Sequence, residues 1–233
     1  MIKGLSQAFP LANIMRFAFI ISLFSPLILL TPAQAASDAE ELVGESRYTL
    51  EKMLGNPDYS KLKEFTERAK GVLIIPQLVK GGFIVGGEGG SGVLLVKGAD
   101  GTWSNPTFYT LAAGSIGLQI GGEVSEVVFT LMNQGAVDAI LDSEIKFGAD
   151  LSIAIGPFGA GVEASTTINL DADVYAFSSS VGLFGGGALE GAKLFTRESY
   201  NTSYYGAGAT PRAITIERVY SNPHSDKLRA ALP

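Results

Sequence analysis

Apolar residues between Ser37 and Lys70 recur at the spacing of two consecutive helices. From Ser37 to Leu54 they fall on one helical face, and Gly55-Asn56-Pro57 then supplies a stop followed by a new start signal. A second amphipathic helix is predicted from residue 56 or 57 to Lys70. Its apolar stripe consists of Tyr59, Leu62, Phe65 and Ala69. The pattern therefore predicts a pair of helices at this end of the domain.

The pattern changes at Gly71, where short apolar runs alternate with glycine. Of the 29 glycines, 23 lie between Gly81 and Gly191, a density that disfavours helix. Phe83–Val85 and Val93–Val96 are predicted to be strands that flank a turn region at Gly86–Gly92. Further strands are predicted at Thr107–Leu111, Ser115–Ile120, Val124–Met132, Phe147–Ile155, Val162–Thr167, Val174–Ser178 and Leu189–Phe195.

Two shorter helices complete the predicted fold. Asn133 is suited to cap one of them, and the run from Asn222 to Leu232 indicates the other. The predicted class is α+β, mostly β, with a strongly curled antiparallel sheet or barrel-like core between N-terminal helices and a short C-terminal helix. We expect a single domain over residues 36–233. Its predicted parts are a helical segment at 36–70, a glycine-rich β core at 71–220 and a C-terminal helix at 221–233.

Residues 1–35 have the pattern of a secretory signal. Lys3 and Arg16 precede the apolar run Phe17–Leu30, and Ala33-Gln34-Ala35 matches an A-x-A cleavage site. The run is shorter than the roughly 20 residues that span a bilayer, so cleavage is favoured over an anchor. A capping box, Ser37-x-x-Glu40, follows the predicted cut. We therefore expect an exported protein, periplasmic or extracellular and peripheral to a membrane.

Charge and composition exclude several classes of function. Residues 1–35 hold 2 of the 17 basic residues and none of the 23 acidic ones, so the remainder carries 15 against 23. This balance disfavours binding to nucleic acid, which requires a basic face. The absence of cysteine excludes disulfides, thiolate metal sites and cysteine nucleophiles.

The sequence offers little catalytic chemistry. Gly87, Gly89 and Gly92 match G-x-G-x-x-G, but an apolar strand rather than a helix follows, so a turn is favoured over a dinucleotide site. The single histidine, His224, lies near the C-terminus and does not suggest a serine triad. Neither Asp171-x-Asp173 nor the pair Asp138 and Asp142 forms a complete calcium loop. We expect no catalytic centre, no metal and no cofactor.

Carboxylates inside the glycine-rich region leave one enzymatic alternative open. The favoured interpretation is that they alternate on the outer face of strands, while a hydrolase using Glu88 or Glu123 is the alternative. The residues concerned are Glu88, Glu123, Glu126, Glu163 and Glu190.

Eight of the 15 basic residues after residue 35 lie in the first part of the predicted domain, between Arg47 and Lys97. They are Arg47, Lys52, Lys61, Lys63, Arg68, Lys70, Lys80 and Lys97. This concentration suggests contact with an anionic lipid surface. Electrostatic attraction alone gives about 1 kcal/mol per residue, so insertion of apolar residues such as Leu62 and Phe65 would also be required. The alternative is that the second helix packs its apolar stripe on the sheet and leaves its lysines solvated.

Four segments of the chain resemble the SYLF family, a lipid-binding domain also described as actin-binding in fungal proteins. They are AKGVLIIPQLVKGGFIVGGEGGSGVLLVK from Ala69, GTWSNPTFYTLAAGSIGLQIGGEVSEVVFTLMN from Gly101, KFGADLSIAIGPFGAGVEA from Lys146 and SVGLFGGGALEGA from Ser180. The resemblance implies a compact, β-rich, non-enzymatic domain whose eukaryotic members use basic and amphipathic sequence at the N-terminal end to bind phosphoinositides. The residues in the corresponding region here are Lys61, Leu62, Lys63, Phe65, Arg68 and Lys70.

The leading hypothesis from sequence is therefore a non-enzymatic domain that binds anionic phospholipid headgroups at a membrane surface. A further envelope protein is a second expected partner. Actin is expected to be an unlikely partner, since the chain resembles an exported protein and has no SH3-like segment. The alternative hypothesis is a structural or protein-interaction module without lipid binding.

Overall fold

The computed structural model of the protein describes residues 32–82, 85–116, 121–156, 171–179 and 189–233. The helices in these ranges are α1 (Pro32–Gly55), α2 (Ser60–Arg68), α3 (Gln134–Asp142), α4 (Glu198–Tyr205), α5 (Pro211–Thr215) and α6 (Asp226–Ala231). The strands are β1 (Gly71–Gly82), β2 (Val85–Val96), β3 (Thr107–Ile116), β4 (Gly121–Leu131), β5 (Ile145–Lys146), β6 (Ile153–Ile155), β7 (Val174–Ser178) and β8 (Lys193–Thr196). Across these ranges no helix combines the length and apolarity that a membrane span requires.

The strands form one sheet in the order β5-β8-β3-β2-β1-β4-β7-β6. All neighbouring strands are antiparallel except β6 and β7, which are parallel. The two central strands, β1 and β2, have 12 residues each, about twice the usual strand length. The prediction of an α+β, mostly β fold on a curled antiparallel sheet is confirmed.

Side chains alternate between two buried faces of this sheet, as the period of a strand requires. The first face, which includes Val72, Ile74 and Phe108, packs against the helices at both chain ends. The second face, which includes Leu73 and Phe129, packs against α3 and the short strands. Both faces are covered along Val72–Ile75 of β1 and Val93–Val96 of β2, so these stretches are continuously apolar rather than alternating.

Pro76 produces a bulge in the middle of β1. The pairing of β1 with β2 and with β4 shifts register between Ile74 and Val79. Proline cannot donate to a strand ladder, so in a central strand it is confined to such irregularities. The bulge leaves Gln77 exposed on the surface that faces α1.

Two predictions about glycine and capping are wrong. Residues 86–92, predicted to be a turn, lie within β2, which pairs on both sides. Gly92 is required there by close packing, because a Cβ would lie only 2.3 Å from the carbonyl oxygen of Ile74. Ser37 does not cap a helix in this chain, because α1 already begins at Pro32.

Several other predicted elements agree with the structure, but the strands predicted at Phe147–Ile155 and Leu189–Phe195 are reduced to β6 and β8. The strand Val174–Ser178 and the Asn133-capped helix are confirmed, and the C-terminal run folds as a 3₁₀ turn followed by α6. The helices α4 and α5 lie within residues 71–220, which were predicted to be a glycine-rich β core. The strand predicted at Val162–Thr167 lies outside the described residues.

Candidate functional site

The outward side of α1 forms one wall of an open groove. Its lining residues lie one helical turn apart in two adjacent rows, because a turn contains 3.6 residues. The first row is Glu40, Gly44, Tyr48 and Lys52. The second row is Glu41, Glu45 and Thr49.

The floor and the opposite wall of the groove come mainly from the sheet, with His224 added by the 3₁₀ turn that precedes α6. The groove has a volume of about 1050 Å³. Its remaining lining residues are Pro76, Gln77, Val124, Glu126, Ser179 and His224. A groove of this size that lies open to solvent can accept a segment of another chain.

Two polar contacts fix α1 over this floor. Lys52 Nζ lies 2.7 Å from Glu126 Oε2, and Thr49 Oγ1 donates to Glu126 Oε1 at 3.2 Å. The hydrogen bond to Glu126 raises the pKa of Lys52. Farther along the helix, Gln77 Nε2 donates to Glu45 Oε1 at 2.7 Å, so the bulge in β1 is bonded directly to α1.

The Gln77–Glu45 contact lies between the groove and a second hollow of about 400 Å³. The residues that line the second hollow but not the groove are Asp38, Leu42, Val79, Gly89, Gly90, Ser91, Arg197 and Tyr200. The Arg197 guanidinium stacks on the Tyr200 ring at 3.6 Å from its centroid and donates to Ser91 Oγ. The two hollows therefore form one continuous surface on either side of the contact.

Carboxylates dominate the α1 side of this surface. Glu40 and Glu41 are exposed and form no ion pair with any residue that the structure describes. Within the described ranges, the hydrogen-bond partner of the Glu45 carboxylate is the neutral amide of Gln77. The wall therefore carries uncompensated negative charge, which favours an approaching cation.

The floor beneath these carboxylates is apolar and exposed. Val79 and Val124 are opposite each other in the β1–β4 ladder and are 49% and 61% exposed. Tyr48 on the facing wall is 63% exposed. Beyond the valines, a Cβ at Gly81 would meet nothing within 4 Å. Exposed large apolar side chains gathered in one place mark interaction sites more often than single ones do.

The structure separates the lipid-binding residues predicted on α2 into two sets. Leu62 is fully buried and Phe65 is 6% exposed, with the Phe65 ring packed edge-on against Tyr175 at 4.6 Å. Both belong to the core of this structure, and contact of these residues with lipid stays a prediction. The stripe packs on the sheet, as the alternative interpretation held.

The four basic residues of this region are exposed, three of them on α2 and Lys70 just before β1. Lys61 and Arg68 both pair with Glu64, at 2.9 Å and 3.6 Å, and the contact with Lys61 is the main cause of the lowered pKa of Glu64. Lys63 and Lys70 form no side-chain ion pair within the described part of the chain. Whether these four residues contact an anionic partner stays a prediction.

Glu88 is the carboxylate whose environment differs most from expectation. It was predicted to lie on an outer face but is 5% exposed, and its Oε2 has no hydrogen-bond partner among the residues that the structure describes. Burial raises its pKa, Lys80 opposes the shift, and Glu123 adds to it. These three residues are in register across β2, β1 and β4, so Glu88 and Glu123 are separated by an entire strand. The arrangement of Glu88, Lys80 and Glu123 on three neighbouring strands gives no support to the alternative that the protein is a hydrolase.

The other polar candidates have structural partners. Arg212 binds Asp142 at 2.8 Å and Asp138 at 3.1 Å. Asp173 accepts from Ser152, and this contact lowers its pKa. The described residues contain no group of three His, Cys, Asp or Glu side chains that could hold a metal ion.

Comparison with known proteins identifies the family. The profile of the Ysc84 family, described as "Las17-binding protein actin regulator", matches residues 112–233, which is more than half of the chain. The chain therefore belongs to this family, which is also called the SYLF family. The resemblance found in the sequence is confirmed. The match includes Val124 and Glu126 of the groove but neither Pro76 and Gln77 on β1 nor α1.

Named relatives agree with this assignment. "LAS seventeen-binding protein 3" of Saccharomyces cerevisiae is 36% identical over 165 residues, which are 70% of this chain and 36% of the relative. "SH3 domain-containing YSC84-like protein 1" of Homo sapiens is 34% identical over 163 residues, 66% of this chain and 47% of the relative. This chain thus spans between about a third and half of the length of these relatives.

These findings correct the partners predicted from sequence. The prediction named anionic phospholipid headgroups and considered actin unlikely. The family description instead specifies actin regulation, and the yeast relatives are named for binding Las17. The apparent signal segment favoured an envelope partner, whereas the family that the sequence resembles includes actin-binding fungal proteins.

Proposed function

We propose that this protein is a non-enzymatic binding module that holds a protein partner in the groove along α1. The observation that carries the proposal is the juxtaposition of exposed Tyr48 on α1 with exposed Val124 on β4 across an open groove. The names of the relatives support a protein partner and, within that class, a regulator of actin.

The same geometry argues against a lipid surface as the occupant of the groove. Anionic headgroups would approach Glu40 and Glu41, and like charges repel. The apolar residues that would have entered the lipid, Leu62 and Phe65, are committed to the core. A protein segment can bury Val124 and Tyr48 without either cost.

Site-specific photo-crosslinking in the cells that produce the protein tests this proposal. A benzophenone amino acid replaces Tyr48, and the matched control replaces Val219, which is 67% exposed and does not line the groove. We expect a discrete adduct with one protein from position 48 and none from position 219. Equal products from both positions, or no adduct with protein from position 48, would overturn the proposal.

Vesicle co-sedimentation of the purified protein distinguishes the lipid alternative. Phosphatidylglycerol vesicles and phosphatidylcholine vesicles are compared at low and high salt. The proposal expects no salt-sensitive preference for the anionic vesicles. A preference that is lost when Lys63 and Lys70 are changed to Glu would assign the activity to α2 and to lipid.

We also propose that residues 1–35 direct export and are removed. The supporting pattern is the basic start, the apolar run and Ala33-Gln34-Ala35. The intact mass of the protein purified from its native cells tests this directly. A chain that begins at Ala36 supports export, and a chain that retains residues 1–35 contradicts it.

A further inference from the structure

The partner's chemistry can be inferred from the two sides of the groove. We propose that the occupant is an extended protein segment with basic residues at alternate positions and aliphatic residues between them. This inference rests on the proposed function, since it specifies the partner of the same groove. It depends on the spacing of charges along α1 and on the apolar floor beside them.

The charge pattern on α1 matches the repeat of an extended chain. Glu41 and Glu45 are four residues apart, a rise of about 6 Å along a helix. Alternate residues of an extended segment point to the same side and are about 6.6 Å apart. Two basic side chains at alternate positions can therefore reach both carboxylates at once.

The apolar floor selects the residues between the basic ones. In an extended segment these point away from the side that carries the charges. Val124 at the floor of the groove and Val79 opposite it in the second hollow provide exposed aliphatic surface, and glycines beside Val79 add no side chain that would block the approach. Aliphatic side chains at these positions would cover the two valines and exclude water.

A second copy of this chain is a poorer occupant. With six more acidic than basic residues in total, two copies repel at long range, and the groove itself adds further negative charge. A basic segment instead gains from the same field on approach. Charge complementarity thus favours a different, cationic partner.

Fluorescence anisotropy with synthetic peptides tests the inference on purified protein. The probe is a fluorescein-labelled (Arg-Val)₄ peptide, compared with (Arg-Ser)₄ and (Glu-Val)₄ of the same length. We expect (Arg-Val)₄ to bind at least tenfold more tightly than either control and to weaken as salt rises. Equal binding of (Arg-Ser)₄ would show that the peptide is held by nonspecific charge attraction alone, and it would overturn the inference.

Charge-reversal variants test whether the peptide binds at the acidic wall of the groove. Glu40→Lys with Glu41→Lys should weaken (Arg-Val)₄ binding at least tenfold. The matched control, Glu67→Lys with Glu217→Lys, makes the same change in net charge at exposed positions outside the groove and should leave binding within twofold. Equal losses in both double variants would contradict the inference.

The two proposals fail in different ways. If the photo-crosslink from position 48 captures a protein but the captured segment is neutral or acidic, the groove binds protein and the inference about its partner is wrong. If (Arg-Val)₄ does not bind and no crosslink forms, both are wrong. Circular dichroism of each variant shows whether the fold is intact.

Discussion

Lys52 Nζ of α1 lies 2.7 Å from Glu126 Oε2 of β4, and this ion pair closes one end of the groove. Glu126 also accepts from Thr49, while its backbone N–H donates to Ser179 Oγ. Two side chains of α1 therefore hold the carboxylate, while the backbone of the same residue is bonded to Ser179. We conclude that the wall and the floor of the groove are fixed relative to each other.

Breaking this pair should have a small, measurable effect on stability. A double-mutant cycle with Lys52→Met and Glu126→Gln should give a coupling free energy of about 0.5–1 kcal/mol at pH 7, as for other partly exposed pairs. Because the folded-state pKa of Lys52 is raised, its contribution is present below its ordinary pKa of 10.5 and is lost as the pH rises through the folded value. Urea unfolding at pH 7 measures the coupling, and a value of zero would show that α1 is held by packing alone.

Leu62 should behave as a core residue rather than a membrane contact. Leu62→Ala removes a fully buried side chain, so we expect a loss of about 2–5 kcal/mol in the free energy of unfolding. The neighbouring control, Lys63→Ala, is exposed and should change it by less than about 0.5 kcal/mol. Urea unfolding in the absence of lipid distinguishes them, and similar small effects would contradict the placement of α2.

Glu88 should make stability decrease as the pH rises. Its folded-state pKa is raised above the ordinary 4.5, so the folded protein binds the proton more tightly than the unfolded chain. This contribution is complete below pH 4.5 and is lost as the pH rises through the folded value. Glu88→Gln removes the titration, so the variant should gain stability relative to the parent between pH 4.5 and 7. Thermal unfolding across this interval tests the sign, and an unchanged difference would show that Glu88 ionises normally.

Gly92 and Gly81 offer a matched test of packing in the sheet. Gly92→Ala would place a Cβ 2.3 Å from the Ile74 carbonyl oxygen, and overpacking of this kind costs about 1–3 kcal/mol. Gly81→Ala meets nothing within 4 Å and should not lower stability. Equal effects in urea unfolding would indicate that β2 is not packed against β1 as described.

Local patterns predicted those elements whose signals are local. Asn133 accepts from the backbone N–H of Ala136, so the helix cap could be identified from a few consecutive residues. Val174–Ser178 is buried throughout and appears in the sequence as a bounded apolar run. In contrast, glycine at 86–92 suggested a turn, because sequence does not show that a neighbouring strand leaves no room for side chains at Gly90 and Gly92.

The groove could not be predicted because its parts are distant in sequence. Tyr48 and Val124 become neighbours only when α1 crosses the sheet, and the bulge at Pro76 decides which side Gln77 faces. The acidic residues of α1 recur at helical spacing, but that spacing does not show that they face a groove. The basic residues of α2 suggested an anionic partner, although two of them pair with Glu64 on the same helix.

The most direct measurement of the central claim combines photo-crosslinking with charge reversal. The benzophenone amino acid stands at position 48, and the yield of the protein adduct is compared between the parent, Glu40→Lys with Glu41→Lys, and Glu67→Lys with Glu217→Lys. The account predicts a strong loss of adduct in the first double variant and an unchanged yield in the second. An adduct that persists at full yield after reversal of Glu40 and Glu41 would contradict it.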